Sequence, residues 1–244
     1  MNKHWLLLRG LGRDHRHWGE FINQFKAAFA DDKVSVLDTC GNGDFATLKS
    51  PLSIAKYTDH CRQHIAEHAK GMHLVALSLG GMIALDWAKR FPQEVLSITL
   101  LNSSAANLTP WNKRINLSSL RKSLLAILGS RQPEIIEKAI LQLSSNQRQD
   151  NDTLARWTEY RREQCTSNVN LIRQLIAASR FKAFKLTNIS PLVLTSKTDR
   201  LVNTIASEHL YFHLGGKLVV HSSAGHDLTL DDANWVIAQI KLYP

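Results

Sequence analysis

The residue in this chain best placed for covalent chemistry is Ser78. It lies in Ala76-Leu77-Ser78-Leu79-Gly80-Gly81, a turn of small residues between an apolar run and an amphipathic stretch that reaches Arg90. A serine in a tight strand-to-helix turn projects its hydroxyl away from the chain, and side chains two positions either side collide unless they are small. The hydroxyl is a poor nucleophile until a base takes its proton, and the base must be held in one tautomer by a third group. The chemistry in view is attack on a carbonyl carbon, with a histidine and a carboxylate supplied from elsewhere. Without those partners, the same turn reads as an ordinary connection after a buried strand.

Two groupings carry metal-ligating residue types. His60, His64 and His68 fall at i, i+4 and i+8 of a helical stretch, with no acidic or cysteine partner suggested nearby, so a solvated helix face is expected. Asp14-His15-Arg16-His17 leads into Trp18, which suggests helix capping or the lining of an entrance. Cys40, Cys61 and Cys165 are odd in number, widely spaced and form no CxxC pair, so neither disulfides nor a zinc site is indicated. Neither a metal nor an organic cofactor is expected.

These residues need a scaffold, and 244 residues at 27.5 kDa suffice for one globular domain with an inserted lid. With 44% hydrophobic and 21% charged residues, and only 12 Gly and 6 Pro, neither a disordered nor a collagenous chain fits. No apolar run approaches the roughly 18 residues that a membrane-spanning helix requires. A single Lys3 before a short leucine run, with no small-residue cleavage site, leads us to expect a cytoplasmic protein.

Short apolar runs at 4–8, 34–37, 73–77 and 95–101 read as strands. Between them lie helical stretches at 18–29, 54–69 and 82–91. This alternation implies parallel βαβ units covered on both faces. From 110 to 186 no convincing strand occurs, only about four amphipathic stretches; in the clearest, Ile135, Ile136, Ala139, Ile140 and Leu143 share a face. Leu124, Leu125, Leu128, Ile172 and Ile176 either pack this segment or line an acyl pocket. Alternation then resumes with a strand at 192–195, a helix at 204–214, a strand at 217–221 and a final helix at 231–242, whose start carries Asp231 and Asp232. The expectation is an α/β core of residues 1–109 and 187–244 with an all-helical insertion at 110–186.

The formal charge is +9, and the insertion holds 14 Lys/Arg against 6 Asp/Glu, nearly all of the excess. It has no recognisable nucleic-acid motif. Neither a nucleic-acid nor a membrane partner is expected.

The turn around Ser78 resembles the nucleophile elbow of the α/β hydrolases, with Ala76 in place of the usual first glycine. Ser223-Ala224-Gly225-His226-Asp227-Leu228, after the last strand, resembles the segment that bears that family's catalytic histidine. Ser196-Lys197-Thr198-Asp199-Arg200, after the preceding strand, resembles the loop that carries its acid. Some relatives place the acid one strand earlier, but the stretch after Leu101 holds no carboxylate, so Asp199 is the expected acid. Arg9-Gly10-Leu11-Gly12-Arg13-Asp14 resembles the oxyanion loop, with Arg9 where a histidine is common. The resemblance covers nearly the whole chain and implies catalytic Ser78, Asp199 and His226, with oxyanion donors at the Leu11 and Leu79 backbone N–H groups. It implies an α/β-hydrolase fold with a mostly parallel sheet of about six strands, lacking the family's opening hairpin, under a helical cap similar to that of the pimeloyl-acyl-carrier-protein methyl ester esterases.

The activity this implies is hydrolysis of carboxylic esters through an acyl-enzyme. The basic cap would attract small acidic substrates or an acidic acyl-carrier protein, for which Arg161 and Arg162 are candidates. The same scaffold and triad also serve thioesterases, C–C bond hydrolases and cofactor-free haloperoxidases. A basic binding module without catalysis is the non-enzymatic alternative.

Overall fold

A computed structural model describes residues 2–65 and 71–243 of the chain. Six strands form one sheet: β1 (His4–Leu8), β2 (Lys33–Leu37), β3 (Met72–Leu77), β4 (Val95–Leu101), β5 (Leu192–Ser196) and β6 (Lys217–His221). Their order is β2-β1-β3-β4-β5-β6, and every pairing is parallel. The near-continuous apolar sequences of the central strands follow from burial on both faces. Leu6, Leu8, Leu74, Ala76 and Leu100 join one core cluster, whereas Trp5, Leu7, Val75, Leu77 and Leu101 join the other. Adjacent residues thus serve opposite layers, as the two-residue period of a strand requires.

The first cluster is closed by α2 (Ile54–Ile65) and α3 (Leu79–Arg90), and the second by α1 (Glu20–Ala28) and α11 (Ala233–Leu242). Each fully buried leucine contributes about 1.5–3 kcal/mol relative to exposure. The helix expected at 18–29 begins instead at Glu20, behind a separate 3-10 turn at His15–Trp18. Gly19, at φ 50, makes the break that an ordinary L-residue would resist.

Between β4 and β5 lie five helices: α4 (Trp111–Arg114), α5 (Leu117–Gly129), α6 (Pro133–Ser144), α7 (Asn151–Glu163) and α8 (Asn168–Arg180). The one-turn α4 is additional to the four stretches expected, and Ile115 beside it makes an isolated antiparallel bridge to Val202. After β5 comes α9 (Thr204–Leu214). The helix expected at 231–242 is α11, which begins two residues later, and a one-turn α10 (Leu228–Asp231) precedes it. Asp232 breaks the run and caps α11 by accepting from Trp235 N at 2.9 Å. Asp231 is turned inward, where it accepts from Gly225 N at 2.6 Å and Asn146 N at 2.9 Å.

Two surface expectations change. The expected solvated histidine face holds only in part: His64 is exposed, but His60 is buried, edge-on to Phe45 at 4.5 Å, and its pKa falls to about 4 because burial, then neighbouring His64, disfavours the charged ring. The strand-to-helix loop that contains Phe45 folds back over α2, which the helix's own sequence does not disclose. Ile172 does not line an internal pocket but is 52% exposed. The expectations for His68 and for the side chains of Leu124, Leu125 and Leu128 lie outside what is described.

Candidate active site

Ser78 stands at the C-terminal end of β3 and caps α3 with φ 55 and ψ −113, a backbone conformation costly for a non-glycine residue. The turn is held from three sides. Ser78 N donates to Leu101 O at 2.8 Å, Ser103 Oγ donates to Ser78 O at 2.8 Å, and Gly81 N donates to Ser78 O at 3.0 Å. Gly80 must be glycine, because a Cβ there would lie 2.4 Å from Leu8 O and 2.8 Å from Arg9 O. Gly10 brings the loop after β1 against the turn, its Cβ position 3.2 Å from Ser78 Cβ. Ala76 is fully buried in β3 between Leu8 and Leu100, so the methyl group in place of the usual glycine fits the strand.

Asp199, in the loop after β5, and His226, in the loop after β6, meet at the same edge of the sheet. His226 Nδ1 donates to Asp199 Oδ2 at 2.7 Å, with both residues buried. The other Asp199 oxygen accepts from Leu201 N at 2.7 Å and Val202 N at 2.9 Å, which fixes the carboxylate. Burial alone would lower the His226 pKa, but the facing Asp199 charge and its hydrogen bond outweigh it and raise the pKa above the usual value. Nδ1 is thereby committed, leaving Nε2 for another partner. Neither that nitrogen nor Ser78 Oγ has a hydrogen-bond partner among the described residues. The structure therefore joins the acid to the histidine and places the serine on the same sheet edge, without a hydrogen bond closing the set.

The backbone N–H groups of Leu11 and Leu79 likewise donate to no acceptor among the described residues. Leu79 opens α3, where unpaired amides favour negative charge. The next amide after Leu11, that of Gly12, is held: it donates to Gln174 Oε1 at 2.8 Å. Gln174 is fully buried in α8, and its Nε2 donates to Asn42 Oδ1 at 2.9 Å and Ser50 Oγ at 3.3 Å. Arg9 is buried and forms a fork with Asp227, Nη2 to Oδ2 at 2.6 Å, while stacking over Trp18 at 4.7 Å. Its guanidinium offsets the burial that would otherwise raise the Asp227 pKa, and holds it below the usual carboxylate range.

Sequence reasoning missed Gln174, the use made of Arg9, and Asn102. Asn102 follows β4 at φ 45, a conformation asparagine tolerates better than most residues. Its Nδ2 donates to His226 O at 2.8 Å, and its Oδ1 accepts from Thr195 Oγ1 at 3.0 Å and Ser196 N at 3.1 Å. It thereby ties the histidine loop to the end of β5. Its place directly after a buried strand is the available signal, although an asparagine there offers no carboxylate.

The Asp14–His17 stretch caps the 3-10 turn, with Asp14 accepting from Arg16 N at 3.0 Å. Arg13 Nη1 donates to Glu137 Oε2 at 2.7 Å and stacks over Trp157 at 4.2 Å, so the loop is clamped to α6 and α7. Arg161, a candidate for steering, is committed to the other Glu137 oxygen at 2.5 Å. Among the described residues, the ligating atoms of His15, Asp38 and Asp44 lie within 4.8 Å of one another. His15 Nδ1 and Asp38 Oδ2 share a hydrogen bond of 2.7 Å, and the Asp44 N–H donates to the same carboxylate at 3.1 Å.

The sequence from 5 to 239 matches the model of the alpha/beta hydrolase family. No curated protein matches the chain. Among solved structures, a membrane phospholipase A superposes with a TM-score of 0.80 at 21% identity, over 99% of this chain and 78% of that one. A hydrolase from Pseudomonas aeruginosa gives 0.78 at 17% identity, over 99% and 89%. The esterase RhEst1 from Rhodococcus sp. ECU1013 gives 0.73 at 17%, over 99% and 90%. At these identities the likenesses concern the fold, but the family match spans almost every element from β1 to α11, including the strained serine turn. On that ground, the chain belongs to the alpha/beta hydrolase family.

Proposed function

We propose that this hydrolase cleaves carboxylic esters with Ser78 as nucleophile, His226 as general base and then acid, and Asp199 as the group that orients the imidazole. The observation that carries the proposal is the buried 2.7 Å hydrogen bond between His226 and Asp199 on the sheet edge where Ser78 is held in a strained turn. In the first step the Ser78 oxygen bonds to the acyl carbon as His226 Nε2 takes the hydroxyl proton. The oxyanion then forming is received by the Leu11 and Leu79 amides; one such donor is typically worth about 10²–10³ in rate. Collapse expels the alcohol, which takes the proton from His226, and water repeats the sequence on the acyl-enzyme to release the acid.

Labelling with a fluorophosphonate followed by peptide mapping, beside a chain-length panel of p-nitrophenyl esters, tests this reading. The label is expected on Ser78, and Ser78→Ala is expected to lose both label and turnover. Label on another residue, or full turnover in the variant, would overturn it. Thioesters and diketones in the same panel separate the thioesterase and C–C hydrolase readings, which use the same residues.

A further inference from the structure

The helix α8 is built inside out. Its face toward the protein carries Asn170, Gln174 and Ala177, all buried, whereas Val169, Ile172 and Leu175 on the opposite face are 62%, 52% and 51% exposed. Soluble helices ordinarily do the reverse. The inward polar residues are explained: Asn170 and Gln174 hold the loop around Ser50 and the Gly12 amide. The outward aliphatic residues have no such explanation. Their patch is extended by Leu48 and Leu52, also exposed, on the loop that Asn170 grips through Ser50 N at 2.9 Å and Leu48 O at 3.0 Å.

The sequence segments that bear this patch are basic, and their nearest acidic neighbours along the chain are Asp44, Asp59 and Glu163. Residues 45–58 and 164–198 contain no Asp or Glu, yet they carry Lys49, Lys56, Arg173, Arg180, Lys182, Lys185 and Lys197. A second copy docked face to face would bring these cations against each other. Exposed aliphatic residues on a helix whose flanking sequence is basic are instead the composition of a segment that lies in an anionic lipid interface. Among the described residues no helix is long and apolar enough to cross a membrane, so such a contact is peripheral. We propose that the outer face of α8, with the Leu48–Leu52 loop, docks on an anionic lipid surface. This departs from the sequence-based expectation of no membrane partner, which rested on the absence of a span. Docking would bring the lipid to within about one helix diameter, roughly 10 Å, of the loop that Gln174 holds. It does not depend on the chemistry assigned to Ser78.

The test is flotation of the full chain with vesicles of phosphatidylcholine alone and of phosphatidylcholine with one quarter phosphatidylglycerol. Binding is expected to the anionic vesicles, at least tenfold weaker to the neutral ones, and weakened by salt. Ile172→Asp with Leu175→Asp should reduce binding at least tenfold while hydrolysis of a short soluble ester stays unchanged. If that double variant melts early, Ile172→Ser and Lys49→Glu with Lys182→Glu carry the test. Absence of wild-type flotation, or binding unaffected by these variants, would overturn the proposal. So would a dimer in analytical ultracentrifugation that the α8 variants disperse, or retention on polyglutamate without binding to vesicles.

Discussion

At Ser78 the backbone holds a conformation that costs about 1–3 kcal/mol, and it persists because hydrogen bonds from Ser78 N to β4 and from Ser103 to Ser78 O over-determine it. His226 shows the complementary device, a buried imidazole whose pKa is kept above its ordinary value of 6.5 by the adjoining carboxylate. In the proposed mechanism the neutral ring accepts the serine proton, so kcat/KM is expected to rise with pH through an apparent pKa above 6.5. Asp199→Asn removes the charge that raises that pKa. The limb should move toward acid, and, if the proposed roles hold, the rate should fall about 10⁴-fold, the loss typical when a catalytic triad loses its carboxylate. A pH–rate profile of both proteins checks this; a limb that stays in place would show that Asp199 does not set the titration.

At the level of elements, α8 links the helical insertion to the core through Gln174, whose amide accepts from Gly12 N and donates to Asn42 and Ser50. Because Gly12 adjoins the Leu11 amide assigned to the oxyanion, a displacement of this peptide should act on turnover more than on binding. Gln174→Leu is expected to lower kcat up to about a hundredfold with a smaller change in KM. Gln174→Glu keeps an acceptor for Gly12 and should recover part of the loss. Steady-state kinetics of the two variants distinguish positioning from simple destabilisation, which would lower the active fraction without the partial rescue. This contact was not legible in the sequence. A glutamine among Leu171, Ile172, Leu175 and Ile176 looks like an interruption of an apolar face, and the inverted burial of α8 arises from what the neighbouring loop offers it.

Across the whole molecule, the first strand and the last loop are joined by Arg9 and Asp227, 218 positions apart. Removing one partner leaves the other charge buried alone, so Arg9→Met is expected to destabilise the protein by about 3–5 kcal/mol, and Arg9→Met with Asp227→Leu by considerably less. Urea unfolding of the two variants reads the difference; equal losses would mean that the pair is not the origin of the effect. The sequence by itself determined the six strands, the serine turn and the strand-free character of the segment before β5. Those follow from local periodicity and from residue size at a turn, which short stretches express completely. It also indicated Asp199 and His226 by their resemblance to a known pattern. Only the tertiary structure decided that His60 is covered by Phe45, that Asn102 braces the histidine loop, that Arg9 meets Asp227 and that α8 turns its aliphatic face outward. Each of these depends on which distant group supplies the missing hydrogen bond or covering surface, and such pairings are set by how the chain packs in three dimensions, not by any local run of residues.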